Sequence, residues 1–350
     1  MRSLLAALLL LPAIALAQQQ PQMKSGETIT VERILVDARV TDYNGDPVLG
    51  LKPADFHVKI DGINASVESV EWIPENAVAR ELAGIDDDAP QKAAVNESLD
   101  IPAPNGRLLV FFFQTDFARA HERIVGQMHL LATVDQLIDG LEEEDRVAVL
   151  SFDSHLKFRL DFTGDKRHIR DAMEQALLID EPAEPPMVPM PSLAKRLNRK
   201  ELLDVKSSER ALLVVANALR PIPGPKSLIL FGWGLGHLVG KRVTMGPDYG
   251  AARIALESAR VTVFSLDTTM AESHSLEVGL AKAADDTGGF YAKTHEFPSI
   301  AYERLQRTLA GHYELEVRKP QTNNTGLHAI DVQVARKGVY VMARSSYADK

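Results

Sequence analysis

The sequence predicts an α/β fold: a doubly wound, mostly parallel sheet with helices on both faces. Two observations lead to this expectation. Between residues 106 and 295, short apolar runs alternate with longer stretches whose apolar residues recur at helical spacing. The runs at residues 108–113 and 147–150 are apolar throughout, which is typical of strands buried on both faces of a parallel sheet.

The helices and strands of this region can be assigned in order along the chain. The apolar stripe of residues 118–141 includes Ile124, Met128 and Leu131 and predicts a long helix after the first strand. A proline-rich excursion at residues 181–191 is too long for an ordinary turn. The last helix of the region is expected to stop at Gly288, because glycine readily adopts the left-handed conformation that caps helices. Strands are predicted at residues 145–152, 227–231 and 261–266, and helices near residues 166–178, 202–219, 249–259 and 276–287.

Both ends of the chain are predicted to be β-structure. Residues 27–73 show near-alternation of apolar and polar side chains, interrupted by turns. After a helix near residues 298–309, strands are predicted at residues 312–317, 328–335 and 339–343. Each end is too short to bury a core alone, so we expect the two to pair into one small β-sandwich. The predicted organisation is an N-terminal β segment (27–73), an acidic Ala/Pro linker (74–105), the α/β domain (106–295) and a helix with C-terminal strands (298–348).

The N-terminus predicts an exported protein. Arg2 precedes an apolar stretch that ends at Leu16, and Ala17 completes a small-x-small cleavage motif. The stretch is shorter than the roughly 20 residues that span a bilayer. We therefore expect a cleaved signal peptide over residues 1–17 and no membrane span. The chain has no cysteine, which excludes disulfides, thiolate metal sites and cysteine nucleophiles. A bacterial protein that is periplasmic or secreted fits these features.

Composition and motifs argue against several classes of function. The net charge of -9 disfavours a nucleic-acid partner, because phosphate binding needs a basic face. The chain contains neither a His-Glu-x-x-His metal motif nor a Gly-x-Ser-x-Gly nucleophile elbow. The ten histidines are therefore expected to be solvated or locally hydrogen bonded, and Asp267 to cap a turn after its strand. Since no nucleophile is paired with a base, we expect no enzymatic activity.

Several strings resemble the von Willebrand factor A (vWA) domain. They are the strand at residues 145–152, the Phe-Thr-Gly-Asp string at 162–165, the strand at 226–231 and the Thr-Gly-Gly-aromatic string at 287–291. The two ends, at residues 34–56 and 311–347, are similar to those of an exported branch, the vWA-related proteins first described in Acidobacteria. The likeness covers nearly the whole mature chain. It implies a vWA-like α/β domain.

The resemblance also implies where a metal site would lie and how it has changed. In the family, the first strand ends in Asp-x-Ser-x-Ser, for which this chain has Gln114, Asp116 and Ala118. The family's Thr-Asp-Gly after the fourth strand falls on Gly232, Trp233 and Gly234. A hard cation prefers anionic oxygen ligands, so this metal-ion-dependent adhesion site is degenerate. We expect no cofactor, and Asp116 is the one candidate ligand left for Mg²⁺.

The function predicted from these features is an exported, non-enzymatic protein-interaction module, acting in adhesion or as a scaffold without a metal. Its binding-edge candidates are Gln114, Asp116, Ala118, Gly232, Trp233 and Gly234, with the excursion at residues 181–198 beside them. Trp233 is the expected hot spot, since tryptophan is enriched among residues that dominate interface energy. Two alternatives remain open. One is a Mg²⁺- or Mn²⁺-dependent adhesion module that uses Asp116 with a hydroxyl from Ser192, Ser207 or Ser208. The other is an exported enzyme with an unrecognised site.

Overall fold

The computed structural model of the chain describes residues 32–85, 106–116, 120–178, 191–295, 297–321 and 325–349. The predicted signal peptide, most of the predicted linker, Ala118 and the first part of the proline-rich excursion lie outside these ranges. Residues from Glu32 onward belong to one compact unit. None of the helices in these ranges combines the length and the hydropathy needed to cross a bilayer.

The described part of the chain forms fifteen strands and eight α-helices. The strands are β1 (Arg33–Thr41), β2 (Phe56–Ile60), β3 (Ile63–Pro74), β4 (Leu108–Gln114), β5 (Arg146–Phe152), β6 (Leu156–Thr163), β7 (Lys226–Gly232), β8 (His237–Val239), β9 (Arg242–Thr244), β10 (Val261–Asp267), β11 (Tyr291–Lys293), β12 (Gly311–Arg318), β13 (Leu327–Val334), β14 (Tyr340–Ala343) and β15 (Ser346–Ala348). The helices are α1 (Ala77–Leu82), α2 (Ala120–Asp139), α3 (Lys166–Leu178), α4 (Arg199–Asp204), α5 (Ser208–Leu219), α6 (Tyr249–Ser258), α7 (Glu277–Thr287) and α8 (Pro298–Thr308).

The central sheet of the α/β domain has the strand order β11-β10-β7-β4-β5-β6. Neighbouring strands are parallel except β5 and β6, which pair antiparallel at one edge. Alternate residues of β4 face opposite apolar cores, so that Phe112 packs in one and Phe113 in the other. The first core includes side chains from α5, α6 and α7, and the second includes side chains from α2, α3 and α8. The predicted fold class, a doubly wound and mostly parallel sheet with helices on both faces, is confirmed.

The strands from the two chain ends form a second sheet in the order β14-β1-β12-β3-β2-β13-β15. All of its pairs are antiparallel, and each N-terminal strand pairs with at least one C-terminal strand, as predicted. Contacts between β13 and β14 curl the sheet around a core that includes Phe56, Leu315 and Tyr347. The predicted β-sandwich is therefore not made of two separate sheets, because all the strands around this core belong to one continuous hydrogen-bonded sheet. We call this part of the molecule the β-domain.

Some elements differ from the sequence-based assignment. Residues 77–82, assigned to the linker, form α1, and Asn76 caps it by accepting a hydrogen bond from the Ala79 N–H. The single helix predicted at residues 202–219 is two helices, because Val205 is extended and Ser207 caps α5. Beyond Gly236, β8 and β9 form a hairpin that the pattern did not predict. Between α4 and α5, local capping outweighs the apolar periodicity.

Charged side chains join the β-domain to the α/β domain. Arg260, which precedes β10, donates to both carboxylate oxygens of Asp37 at 2.6 and 3.0 Å and to Glu314 at 2.8 Å. Burial by itself would raise the pKa of Asp37, but the charges of Arg260, His312 and Arg344, together with the Arg260 hydrogen bonds, outweigh it and lower the pKa to about 2. Arg39 adds a hydrogen bond to Thr262 Oγ1 at 3.3 Å. These contacts lie toward the amino end of β10, opposite to the edge at which the parallel strands end.

A buried histidine links the last strand to the rest of the β-domain. His328 lies between the Asp349 and Asp61 carboxylates, at 2.9 and 2.8 Å, and its ring stacks on Tyr347 with the centroids 4.7 Å apart. Hydrogen bonds to Asp349 and then to Asp61 raise the pKa of His328. Its side chain is 0% exposed and its partners are distant in sequence. The expectation that the histidines are solvated or locally bonded is therefore wrong for His328.

Candidate functional site

The predicted binding-edge residues lie where three parallel strands end. Gln114 ends β4, Gly232 ends β7 and Asp267 ends β10, and the register places Gly232 beside Asp267. Because the strands run parallel, their carboxyl ends meet at one edge of the sheet, which is the usual place for a binding site in open α/β sheets. We call this edge the binding edge. The predicted residue Ala118 lies outside the described residues.

The Gln114 side chain is a buried, hydrogen-bonded bridge across the binding edge. Its Nε2 donates to Ser208 Oγ at 3.1 Å and to the Gly234 carbonyl oxygen at 2.9 Å. Its Oε1 accepts from the Trp233 N–H at 3.0 Å and from the Gly234 N–H at 3.2 Å. Both amide hydrogens and both lone pairs of the oxygen are thus used. The bridge fixes the loop after β7 to β4 and to the start of α5.

The glycines of this loop are required by close packing. A Cβ atom at Gly232 would lie 2.9 Å from Gln114 Oε1, and one at Gly234 would lie 2.5 Å from the Cβ of Leu276. Both distances are shorter than a carbon atom can accept without displacing its neighbour. The loop N–H groups of Trp233 and Gly234 already donate to Gln114, so they do not form a phosphate cradle. A packing role accounts for the glycine-rich sequence.

The remaining carboxylate of the degenerate motif lies beside the tryptophan. The indole N–H of Trp233 donates a hydrogen bond to Asp116 Oδ1. Both side chains are half-buried, so part of the indole surface is still accessible at the binding edge. The hydrogen bond restrains the orientation of the ring. This is the arrangement expected of an aromatic interface anchor.

The three serines predicted as possible metal ligands beside Asp116 have different hydrogen-bond partners in the structure. Ser208 lies at the binding edge, where its hydroxyl accepts from Gln114. Ser207 instead caps α5 by accepting from the Arg210 N–H at 3.1 Å. Ser192 donates to the buried carboxylate of Asp161 at 2.5 Å and so anchors the end of the excursion to β6. Of the three, only Ser208 is a neighbour of the first-strand motif.

The groups around Gln114 do not fit a divalent cation. A hard cation needs several oxygens that converge with free lone pairs, whereas Gln114 turns two N–H bonds toward Ser208 Oγ and the Gly234 oxygen. Within the described residues, the histidine and carboxylate groups close enough to share a metal are Asp37-His312-Glu314 and Asp267-His274-Glu277. Neither group includes Asp116. In the first, Arg260 supplies the positive charge, and in the second, Lys293 Nζ lies 2.9 Å from the Glu277 carboxylate.

Asp267 organises a second buried cluster at the same edge. Its carboxylate is fully buried and accepts from Tyr291 Oη at 2.7 Å, from His274 Nε2 at 2.8 Å and from the Thr269 N–H at 2.9 Å. Burial raises the pKa of Asp267, but these donors outweigh it and lower the pKa below its ordinary value. His274 Nδ1 is buried without a hydrogen-bond partner, so no described hydroxyl is aligned with this pair as a nucleophile. The cluster ties β10, β11 and the segment before α7 together.

A surface cavity of about 510 Å³ lies beside β11 and the start of α8. Its lining combines apolar and titratable side chains: Glu272, Ala292, Lys293, His295, Phe297, Ile300, Ala301 and Arg304. Among the described residues that line the cavity, none is a serine, threonine or cysteine. The Arg304 guanidinium stacks over the Phe290 ring at 4.2 Å from its centroid. The lining therefore offers contact area and charge but no nucleophile paired with a base.

Sequence reasoning did not identify two residues that shape the binding edge. Glu209 is buried, and its Oε1 accepts from the Gly236 N–H at 2.7 Å and the Gly246 N–H at 3.3 Å. Its position in the first turn of a capped helix is a signal that could have indicated a structural carboxylate. His274 was expected to be solvated or locally bonded, but it is buried against Asp267. Nothing in its local sequence indicates this burial, because it depends on how the loop after β10 folds back.

Several solved structures are similar to this chain at low sequence identity. No protein-family model matches the chain, and no curated protein matches it. Similar structures include human COPII-coat protein Sec24c, with a TM-score of 0.42 and 11% identity over 73% of this chain and 46% of that one. The von Willebrand factor type A structure from Catenulispora acidiphila has a TM-score of 0.41 and 8% identity over 91% and 75%. The vWF domain of the type V pili tip protein Mfa5 from Porphyromonas gingivalis has a TM-score of 0.39 and 11% identity over 58% and 94%. The chain thus spans less than half the length of the Sec24c chain that it matches.

Proposed function

We propose that this protein is an exported, non-enzymatic protein-interaction module that binds its partner through the binding edge without a metal ion. The observation that carries the proposal is the Gln114 bridge. In this bridge, a neutral carboxamide makes four hydrogen bonds, and its N–H groups face two oxygens, Ser208 Oγ and the Gly234 carbonyl, of the kind that would coordinate a cation. The loop is therefore held in place by hydrogen bonds rather than by coordination. The half-buried Trp233 then offers a rigid contact surface.

Export is proposed from the predicted signal peptide at residues 1–17 and from the absence of cysteine. The expected mature chain begins at Gln18. N-terminal sequencing of the protein secreted by a bacterial host tests this part of the proposal. An intact Met1 on the exported protein would contradict signal-peptide cleavage.

To test whether the binding edge contacts the partner, the amount of cross-linked partner is compared between the wild type and single-residue variants. Cross-linked partners recovered with the wild-type protein should fall by at least about tenfold with Trp233→Ala, which corresponds to the loss of a modest interface anchor. Tyr43→Ala is the control, since Tyr43 is 80% exposed and belongs to the β-domain. Equal recovery by the wild type and Trp233→Ala, with melting temperatures unchanged, would show that the partner does not use the binding edge.

The metal-free part is tested on the purified wild-type protein. Any ligand that binds only the folded state raises its melting temperature. We expect millimolar Mg²⁺ or Mn²⁺ to leave the melting temperature unchanged relative to EDTA. A rise that EDTA reverses, and that disappears in Asp116→Asn, would favour the alternative of a metal-dependent adhesion module.

A further inference from the structure

The β8–β9 hairpin projects from the chain directly after the binding edge. Its register pairs His237 with Thr244 and Val239 with Arg242, which leaves a two-residue loop at Gly240 and Lys241. Gly240 has a φ of 63°, and glycine at the first loop position is typical of the type II′ turn that closes a twisted hairpin. The hairpin is therefore a regular structure of its own, although the sequence pattern did not predict it.

The base of the hairpin is fixed by a buried carboxylate. Glu209 Oε1 accepts from the N–H of Gly236, just before β8, and from the N–H of Gly246, just after β9. Glu209 belongs to the first turn of α5, where the helix dipole favours a negative charge. Only 6% of Glu209 is exposed, so water competes little with these hydrogen bonds. The two strands thus leave the domain from a defined point.

Both long edges of the hairpin carry backbone N–H and C=O groups that have no strand partner in the described part of the chain. In the described part of the chain, β8 and β9 pair only with each other. In an antiparallel pair, hydrogen-bonded and non-hydrogen-bonded residue pairs alternate, and the pair that flanks a two-residue loop is hydrogen bonded. Val239 and Arg242 are that pair, so the next pair, Leu238 and Val243, directs its N–H and C=O groups outward. Unpaired edge groups of this kind are a template for another strand.

The side chains of the hairpin carry positive charge and apolar surface. Lys241 and Arg242 are exposed, and no acidic residue occurs between residues 236 and 247. Leu238 and Val239 are 50% and 57% exposed. The whole chain has a net charge of -9, so the hairpin is a cationic projection on an acidic protein. Charge complementarity therefore favours an acidic partner and disfavours pairing between two copies of the hairpin.

We propose that the β8–β9 hairpin binds an acidic, extended segment of a protein partner by strand addition. The segment would pair its backbone with the outward N–H and C=O groups of Leu238 or Val243 and place acidic side chains near Lys241 and Arg242. A lipid surface fits less well. Leu238 and Val239 are successive strand residues and face opposite sides, and unpaired backbone edges are costly in hydrocarbon. The proposal rests on the proposed function only in assuming that the partner is a protein.

The test measures the binding of a fluorescent peptide that alternates glutamate with valine, compared with one that alternates lysine with valine. Fluorescence anisotropy is recorded with the wild-type protein, Leu238→Pro and Leu238→Thr. Proline removes the outward N–H of residue 238 without removing a hydrogen bond inside the hairpin, whereas threonine keeps the N–H and removes only apolar surface. We expect the glutamate peptide to bind the wild type and Leu238→Thr with affinities within about threefold of each other, and Leu238→Pro at least about tenfold more weakly. The lysine peptide should bind at least about tenfold more weakly than the glutamate peptide.

The proposal allows pairing with either strand of the hairpin, so it is overturned only by the outcomes that exclude both strands or the acidic partner. Equal binding by Leu238→Pro and Leu238→Thr would exclude strand addition at β8, and the matched change Val243→Pro then tests β9. If neither proline variant weakens binding, or if the wild type does not prefer the glutamate peptide, the hairpin is not a strand-addition site. Binding to phosphatidylglycerol vesicles that needs Lys241 and Arg242, without peptide binding, would replace the protein partner by a membrane. Circular dichroism and the melting temperature show that each variant is folded. Failure here leaves the Trp233→Ala test standing, because that test uses a different surface and the natural partner.

Discussion

Replacing Gln114 by glutamate tests whether the binding edge is held by a hydrogen-bonded carboxamide. The change keeps the shape of the side chain and the oxygen that accepts from Trp233 and Gly234. It replaces the Nε2 donor by an oxygen that faces the Gly234 carbonyl, at present 2.9 Å from Nε2. The Ser208 hydroxyl can turn and donate to the new oxygen, but a carbonyl cannot donate. One favourable contact therefore becomes a repulsive one.

The expected loss of stability follows from this geometry. The Gly234 carbonyl loses its hydrogen bond and is left without a partner in a buried place, which costs about 1–3 kcal/mol, and burial of the new charge adds to this cost. Charge-assisted hydrogen bonds from the Trp233 and Gly234 N–H groups offset part of this. We expect the free energy of unfolding to fall by about 2–3 kcal/mol at neutral pH. Urea unfolding followed by far-UV circular dichroism measures it.

The pH dependence of the Gln114→Glu destabilisation distinguishes this mechanism from a nonspecific loss of packing. Burial and the facing carbonyl raise the folded-state pKa of the new carboxyl above its unfolded value of about 4.3. The destabilisation is therefore complete above the folded pKa and shrinks as the pH falls through it, because the protonated acid can donate to Gly234 again. The control is Gln136→Glu, which makes the same charge change on an exposed part of α2 and should cost less than about 0.5 kcal/mol. A Gln114→Glu loss below about 0.5 kcal/mol, or one that is the same at about pH 5 and pH 7, would refute the reasoning.

Three other predictions concern the buried charges and the close-packed loop. The pKa of His328 is raised in the folded state. The wild type should therefore be more stable than His328→Gln, with the full advantage below about pH 6.5 and a declining advantage as the pH rises through the raised pKa. A difference in melting temperature between the two proteins that grows with pH would contradict this prediction. Arg260→Met should cost about 2–3 kcal/mol, and a double-mutant cycle with Asp37→Asn should show coupling of at least about 1 kcal/mol. The same Arg260→Met change should move acid unfolding to higher pH, since Asp37, whose pKa is about 2 in the wild type, contributes stability that is lost as the pH falls toward that value. Gly234→Ala should lower the free energy of unfolding in urea by about 1–3 kcal/mol, because the new Cβ atom has no room. Gly250→Ala places its Cβ atom in open space and should be neutral or stabilising. Equal effects of the two changes would contradict the packing argument.

Much of the fold could be predicted because buried segments have a recognisable pattern of apolar residues in the local sequence. A strand such as β4, which is covered on both faces, is apolar over residues 108–113, and all seven of its residues are buried. Periodicity also reveals the buried stripe of α3, which includes Ile169, Met173 and Leu177. In α2 the prediction is wrong for Met128, which is 67% exposed. Pairing between the two chain ends was also predictable, since neither end could bury a core alone. By contrast, the break between α4 and α5 depends on caps at Asn198 and Ser207 that resemble ordinary polar residues in a helical pattern.

For the candidate site, the sequence alone determined which chemical groups are present and which are missing. It placed Gln114, Asp116 and Trp233 near the ends of strands that meet at one edge, and it predicted that the metal site of the resemblance has lost acidic groups. This follows from residue type and strand order, both of which are local or nearly local properties. Export and the nature of the partner remain proposals.

Only the tertiary structure decided what those groups do. Gln114 bridges Ser208, Trp233 and Gly234, residues that are 94 to 120 positions away in the chain, and such pairing leaves no local signature. The same holds for the buried Asp267–His274 pair and for Glu209, whose roles depend on where neighbouring loops come to lie. A side chain's residue type fixes the hydrogen bonds that it can make, but folding selects the partners with which it makes them. For this reason the missing acid at Gln114 is visible in the sequence, whereas the hydrogen-bonded bridge in its place is visible only in the structure.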